Sequence, residues 1–138
     1  LGLIQWIKRK SITKVDFDIL VLGVIYIIVI GAYLFFEMFP VNFRPVLIEG
    51  CLEVSYPSST TLLVLCVMPT AMMQFSFRIK NPTVKYSVQG SIGVFTIFMV
   101  LGRLISGVHW FSDIIGGILL SAGIVLTYYS IINRKIDL

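Results

Sequence analysis

Residues 19–36 read ILVLGVIYIIVIGAYLFF, eighteen consecutive positions without a charge. Three more stretches share the pattern. Ser58–Phe77 and Ile114–Asn133 each run twenty residues uncharged, and Tyr86–Gly102 runs seventeen. A helix rises about 1.5 Å per residue, so about 20 apolar residues cross the hydrocarbon core of a bilayer. The expected fold is therefore all-α, a polytopic transmembrane helix bundle. It has four complete spans near 17–38, 58–77, 86–104 and 110–133. The short apolar segment Leu1–Ile7, ending in a basic cluster, reads as the end of an earlier span in an N-terminally truncated chain. It is not a signal peptide, whose charges would come before the apolar region. The whole of 1–138 is expected to form one membrane-embedded domain.

Composition agrees. The chain is 57% hydrophobic and 13% charged, with mean hydropathy +0.95, whereas a soluble domain carries about 25% charged residues. The net charge of +4 does not point to nucleic acid, because the charges are segregated by topology. Lys8, Arg9, Lys10 and Lys14 precede the first complete span. Arg78, Lys80 and Lys85 separate the second from the third, and Arg134 and Lys135 follow the fourth. If every run crosses, these nine of the eleven basic residues share one side, and the positive-inside rule places them in the cytoplasm. Arg44 and Arg103 then stand on the outer side, where topology does not ask for them. Cys51 and Cys66 are too few for a disulfide framework. Met68, Met72 and Met73 lack a ligand neighbour at metal spacing and read as packing.

The chemistry concentrates on that outer side. His109 is the only histidine in the chain, and it lies six residues after Arg103 and four before Asp113. On a helix the last two share a face. A carboxylate there can accept a hydrogen bond from one ring nitrogen and leave the other as nucleophile or base. The plainer alternative is an interfacial histidine with an ion pair at a helix end. Two other segments reach the same side: Arg44-Pro45 in the loop after the first span, and Pro57-Ser58-Ser59-Thr60 at the start of the second. The latter signals a helix start, whose free N–H groups attract anions. Two arginines, a hydroxyl with helix N–H groups and a carboxylate-held histidine would form a phosphate pocket with a nucleophile inside. No metal or other cofactor is needed, since arginines can neutralise phosphoryl oxygens.

These three segments resemble the tripartite signature of the phosphatidic acid phosphatase type 2 superfamily, the integral-membrane lipid phosphate phosphatases related to vanadium haloperoxidases. The signature reads K-x6-R-P, then P-S-G-H, then S-R-x5-H-x3-D, and both its order and its placement relative to the spans match. The family core has six membrane helices, so the four spans here look like its last four and Leu1–Ile7 like the end of its second. The resemblance implies that His109 forms a phosphohistidine and that Asp113 orients it. It casts Arg44 and Arg103 as phosphate clamps and Ser58 as a hydrogen-bond donor to the phosphate, with Ser59 beside it in the phosphate-binding segment.

Four positions depart from the pattern. Glu37 stands where the family has lysine, Ser59 replaces glycine, Gly102 replaces serine, and Thr60 replaces the histidine that protonates the leaving group. A threonine hydroxyl is no general acid near neutral pH, and losing one typically costs about 10²–10⁴-fold in rate. A phosphate leaving from a diphosphate is already a weak base, so a lipid diphosphate such as undecaprenyl diphosphate is the expected substrate over a phosphomonoester. The expected protein is a lipid phosphate or diphosphate phosphatase of the bacterial plasma membrane with an extracytoplasmic site. Two alternatives stand beside it. One is a relative that binds or moves lipid phosphates without catalysis; the other is a membrane protein using His109 and Asp113 as a proton relay or as packing. Oligomeric state is not legible.

Overall fold

A computed structural model describes residues 2–11 and 15–136. Leu1 and Lys14, assigned above to the earlier span and the basic cluster, lie outside the described residues, as do the side chains of Lys8, Arg9 and Lys135. Five helices follow one another: α1 (Gly2–Arg9), α2 (Phe17–Met38), α3 (Ser59–Arg78), α4 (Pro82–Ile105) and α5 (Phe111–Ile136). Four of them, α2 to α5, are long and apolar enough to cross a membrane.

The helix starts follow local chemistry. Ser58 caps α3, its Oγ accepting from the Thr61 N–H at 3.4 Å. Asn81 caps α4, its Oδ1 accepting from Thr83 N at 3.0 Å and Val84 N at 3.3 Å, with Pro82 in the first turn. That cap explains why α4 begins four residues before the uncharged run: the helix starts in the interface, at Asn81-Pro82, and carries Lys85 with it. At α5 the Asp113 carboxylate reaches back to accept from Trp110 N at 2.9 Å, the reciprocal half of a capping box.

Helix α3 is the centre of the bundle. It packs on α4 and α5, while α2 lies against α5 and α3. The core joins Ile25 and Val29 of α2, Leu62 and Cys66 of α3, and Ile124, Tyr128 and Ile132 of α5. Outward faces are apolar, and α4 buries no residue at all, as expected of a helix whose surroundings are hydrocarbon.

Small residues let neighbours approach α5 at two points: Gly117 admits the start of α3, and Gly116 the Tyr56 ring of the loop before it. A Cβ at Gly117 would lie 3.1 Å from Thr61 and 3.3 Å from the Ser58 carbonyl. Gly90, Gly93 and Gly123 face open space instead, with nothing within 4 Å of an added Cβ. Their small size serves no helix contact within this chain.

Polar contacts mark both ends of the bundle and confirm the alternation of its helices. At one end Arg78 pairs with Asp18 at 2.9 Å and Asp16 at 3.6 Å, and Gln74 donates to Asp18 at 3.0 Å and to the Tyr128 hydroxyl at 2.5 Å. Asp16 and Asp18, at the start of α2, thus tie it to α3, and the Tyr128 hydroxyl donating to the Asp18 carbonyl ties it to α5. The other end gathers the loop after α2 and the α4–α5 connection, and it holds every candidate site residue.

Candidate active site

The loop between α2 and α3 is a short hairpin. Isolated antiparallel bridges pair Phe43 with Val54 and Ile48 with Cys51. Its tip, Glu49-Gly50, has φ of 50° and 80°, the double positive φ of a type I′ turn. Glycine supplies the second of these at no steric cost. The hairpin is fastened to the α4–α5 connection, with the Trp110 indole donating to the Phe43 carbonyl at 2.8 Å. Asn42 Nδ2 donates to Asp113 Oδ1 at 3.3 Å. Arg44 and Glu53 are thereby carried over His109.

His109 and Asp113 are both buried. The imidazole Nδ1 lies 3.2 Å from the Ser55 carbonyl and 3.5 Å from Asp113 Oδ2. Two acceptors on that edge fix the proton at Nδ1. The Nε2 lone pair then faces Arg44, whose Nη1 lies 3.3 Å away and also donates to the Val108 carbonyl at 3.4 Å. Asp113 is fully buried, and its oxygens accept from Trp110 N and Asn42 Nδ2 and face the His109 ring. The backbone at Asp113 also serves α3, since its carbonyl accepts from Ser58 N at 3.0 Å. Burial pushes the His109 pKa below 6.5, helped by the Arg44 and Arg103 charges and opposed by Asp113. The ring is therefore neutral at neutral pH, the state a nucleophile requires.

A cavity of about 430 Å³ opens beside this ring. Arg44, Ser55, Ser59 and His109 form part of its wall, Tyr33, Phe36 and Glu37 come from the last turns of α2, and Glu53 and Tyr56 complete it. Gly116 seats the Tyr56 ring: a Cβ there would lie 2.4 Å from it.

The structure thus brings Arg44, Ser59, His109 and Glu37 to one cavity, with Asp113 directly behind the histidine. Ser58 is placed differently. It is fully buried, and its Oγ caps Thr61 N and accepts from the Thr61 hydroxyl at 3.0 Å, turned into the helix start. Arg103 and Thr60 meet each other, Arg103 Nη2 donating to Thr60 Oγ1 at 2.6 Å, and neither forms part of the cavity wall. Arg103 Nε is buried without a hydrogen-bond partner among the described residues.

Sequence reading missed Glu53, Ser55, Tyr56 and Asn42. Glu53 Oε2 lies 3.0 Å from Arg44 Nε. Ser55 gives its carbonyl to His109, while its own buried hydroxyl has no partner among the described residues. Glu49-Gly50 announces a turn, but the register it sets through Ile48 and Cys51 would pair position 44 with 55, whereas the Phe43–Val54 bridge and the Arg44 N to Glu53 O bond lie two residues away from that register, so nothing in the sequence pointed to Glu53.

A family model described as the PAP2 superfamily matches residues 19–137. No match is found among curated proteins or among solved structures.

Proposed function

The chain belongs to the PAP2 superfamily, and on that premise we propose that it is a membrane phosphatase acting on lipid phosphates or diphosphates through a phosphohistidine at His109. The observation that carries this reading is the two-sided hold on one imidazole. Nδ1 faces Ser55 O and Asp113, and Nε2 faces Arg44 at the edge of a cavity.

In the proposed reaction Nε2 attacks phosphorus in line and the bond to the leaving oxygen breaks. Asp113 and the Ser55 carbonyl stabilise the growing charge on the ring through Nδ1–H. Arg44 takes the phosphoryl oxygens, with Ser59 beside it. Arg103, whose Nε is unpaired, turns from Thr60 toward the anion. Water then cleaves the phosphohistidine. Thr60 supplies no proton to the leaving group, which favours leaving groups that are weak bases, a diphosphate foremost. The positive-inside bias puts the site on the extracytoplasmic face, and the apolar helix faces suit a substrate with a lipid tail.

The test is metal-free phosphate release by the full-length protein in detergent, from a polyprenyl diphosphate and from phosphatidic acid, with His109→Ala as control. Release from the native protein that the substitution abolishes is expected, with the diphosphate the faster substrate. Arg44 held by Glu53 and Thr60 held by Arg103 favour one second reading, a lipid-phosphate binder without turnover. Failure to trap phosphate on His109, with lipid phosphate binding intact, would select it.

A further inference from the structure

We propose that the α2 wall of the cavity is a subsite for an ammonium group, so that among lipid phosphomonoesters the site prefers one carrying a positive charge close to its phosphoryl group. The inference rests on the phosphatase reading of the same cavity and names its substrate class.

Tyr33, Phe36 and Glu37 stand at i, i+3 and i+4 on α2, share one face of the helix, and all line the cavity. Phe36 meets Tyr56 edge to face, ring centroids 5.6 Å apart, so that wall is aromatic and braced. Within it Glu37 makes no hydrogen bond or ion pair among the described residues. Glu53, the cavity's other carboxylate, is committed to Arg44 at 3.0 Å. The cavity therefore holds one guanidinium and two carboxylates, and of the two only Glu37 has no cation beside it among the described residues.

A purely anionic ligand meets repulsion from that carboxylate. A ligand with a phosphate for Arg44 and His109 and an ammonium for Glu37 completes both ends. Aromatic faces add attraction for the cation and not for an anion. The volume of about 430 Å³ leaves room beyond a phosphoryl group. The unpartnered buried hydroxyl of Ser55 shows a further polar group in the same wall awaiting a partner. An ammonium near the ester oxygen also makes the departing alkoxide a weaker base, which suits a site with Thr60 in place of a general acid.

The experiment compares two long-chain alkyl phosphates, identical except that one carries a 2-ammonium group, with a polyprenyl diphosphate alongside. Phosphate release is measured on the full-length protein in detergent. The ammonium compound is expected to show kcat/KM about tenfold higher. Glu37→Gln should remove the preference and Glu37→Lys should reverse it. Glu37 is exposed at a helix end, so both variants should melt with the native protein. Equal kcat/KM for the pair in the native protein, or a preference that survives Glu37→Gln, overturns the subsite and leaves the phosphatase standing. No release from any of the three substrates overturns the phosphatase reading itself, and the subsite with it.

Discussion

Arg44 Nε lies 3.0 Å from Glu53 Oε2 while Nη1 of the same guanidinium lies 3.3 Å from His109 Nε2. The cation best placed to receive a phosphoryl oxygen is thus held by a carboxylate, and it covers the nucleophile's lone pair. The pair is close without an aligned N–H, and Glu53 is half-exposed, so the interaction is weak and displaceable. An incoming phosphate has the same shape of demand as the carboxylate and competes with it directly.

Removing the competitor should therefore help an oxyanion. Glu53→Gln keeps the backbone bond from Arg44 N to the residue 53 carbonyl, 3.0 Å in the native chain, and loses only the charge. A half-exposed pair is worth about 0.2–1 kcal/mol, so orthovanadate should inhibit the variant about 1.5- to 5-fold more tightly. Weaker inhibition would mean that Glu53 aims Arg44 rather than blocking it.

The pH dependence of the site follows from the displaced His109 pKa. Burial, then Arg44, then Arg103 disfavour the imidazolium, and Asp113 favours it less strongly. The folded value is below 6.5, so the neutral ring persists through neutral pH, and the corresponding stability is lost as pH falls through the folded pKa. Because the chain has a single histidine, an NMR titration of labelled imidazole reads this group alone. The midpoint should lie below 6.5 and move upward in Arg44→Gln, which removes a repelling cation. A midpoint above 6.5 would show that Asp113 dominates and that the ring is charged near neutrality.

Packing behind the cavity gives a third expectation. A Cβ at Gly116 would stand 2.4–2.6 Å from Tyr56 ring and hydroxyl atoms. Overpacking of this kind costs about 1–3 kcal/mol, and the ring that has to yield is part of the cavity wall. Gly116→Ala should lower both the melting temperature in detergent and kcat/KM. Gly123→Ala, with open space around its Cβ, should change neither. Equal melting of the two variants would show that Tyr56 moves aside freely.

The spans were legible because hydrocarbon thickness leaves a run length in the sequence, and α2 occupies Phe17–Met38 as expected. The pairing of His109 with Asp113 was readable, but not its reason: His109 lies before α5, which starts at Phe111, so the two do not share a helix face, and Asp113 meets the ring from the first turn, where it also caps Trp110 N. Side-chain direction at a helix start was not readable. Ser58 reads as a donor to a ligand, yet it is buried in the helix start, where its Oγ accepts from Thr61 N and from the Thr61 hydroxyl. Partners from distant segments were also hidden. The Arg44–Glu53 pair depends on a two-residue shift between the tip of the hairpin, Ile48–Cys51, and its base, Phe43–Val54, and the Arg103–Thr60 bond joins two helix ends whose meeting depends on how α3 and α4 pack.

That Arg103–Thr60 bond, 2.6 Å from Nη2 to Oγ1, carries the last expectation. The hydroxyl accepts this bond through a lone pair and keeps its own hydrogen, but a threonine O–H is no general acid near neutral pH. If proton supply limits phosphomonoester cleavage, Thr60→His should raise turnover of phosphatidic acid, by up to the ~10²-fold lower end of what a general acid contributes. The diphosphate, whose leaving phosphate needs little protonation, should change by much less. The same substitution frees Arg103 from its hydroxyl partner, which would tighten phosphate binding for both substrates and appear in KM. The informative quantity is therefore the ratio of kcat values for the two substrates in native and substituted protein. A ratio shifted toward phosphatidic acid assigns the missing proton to position 60. A ratio unchanged while both KM values fall assigns position 60 to holding Arg103, and the leaving-group preference must then arise elsewhere in the cavity.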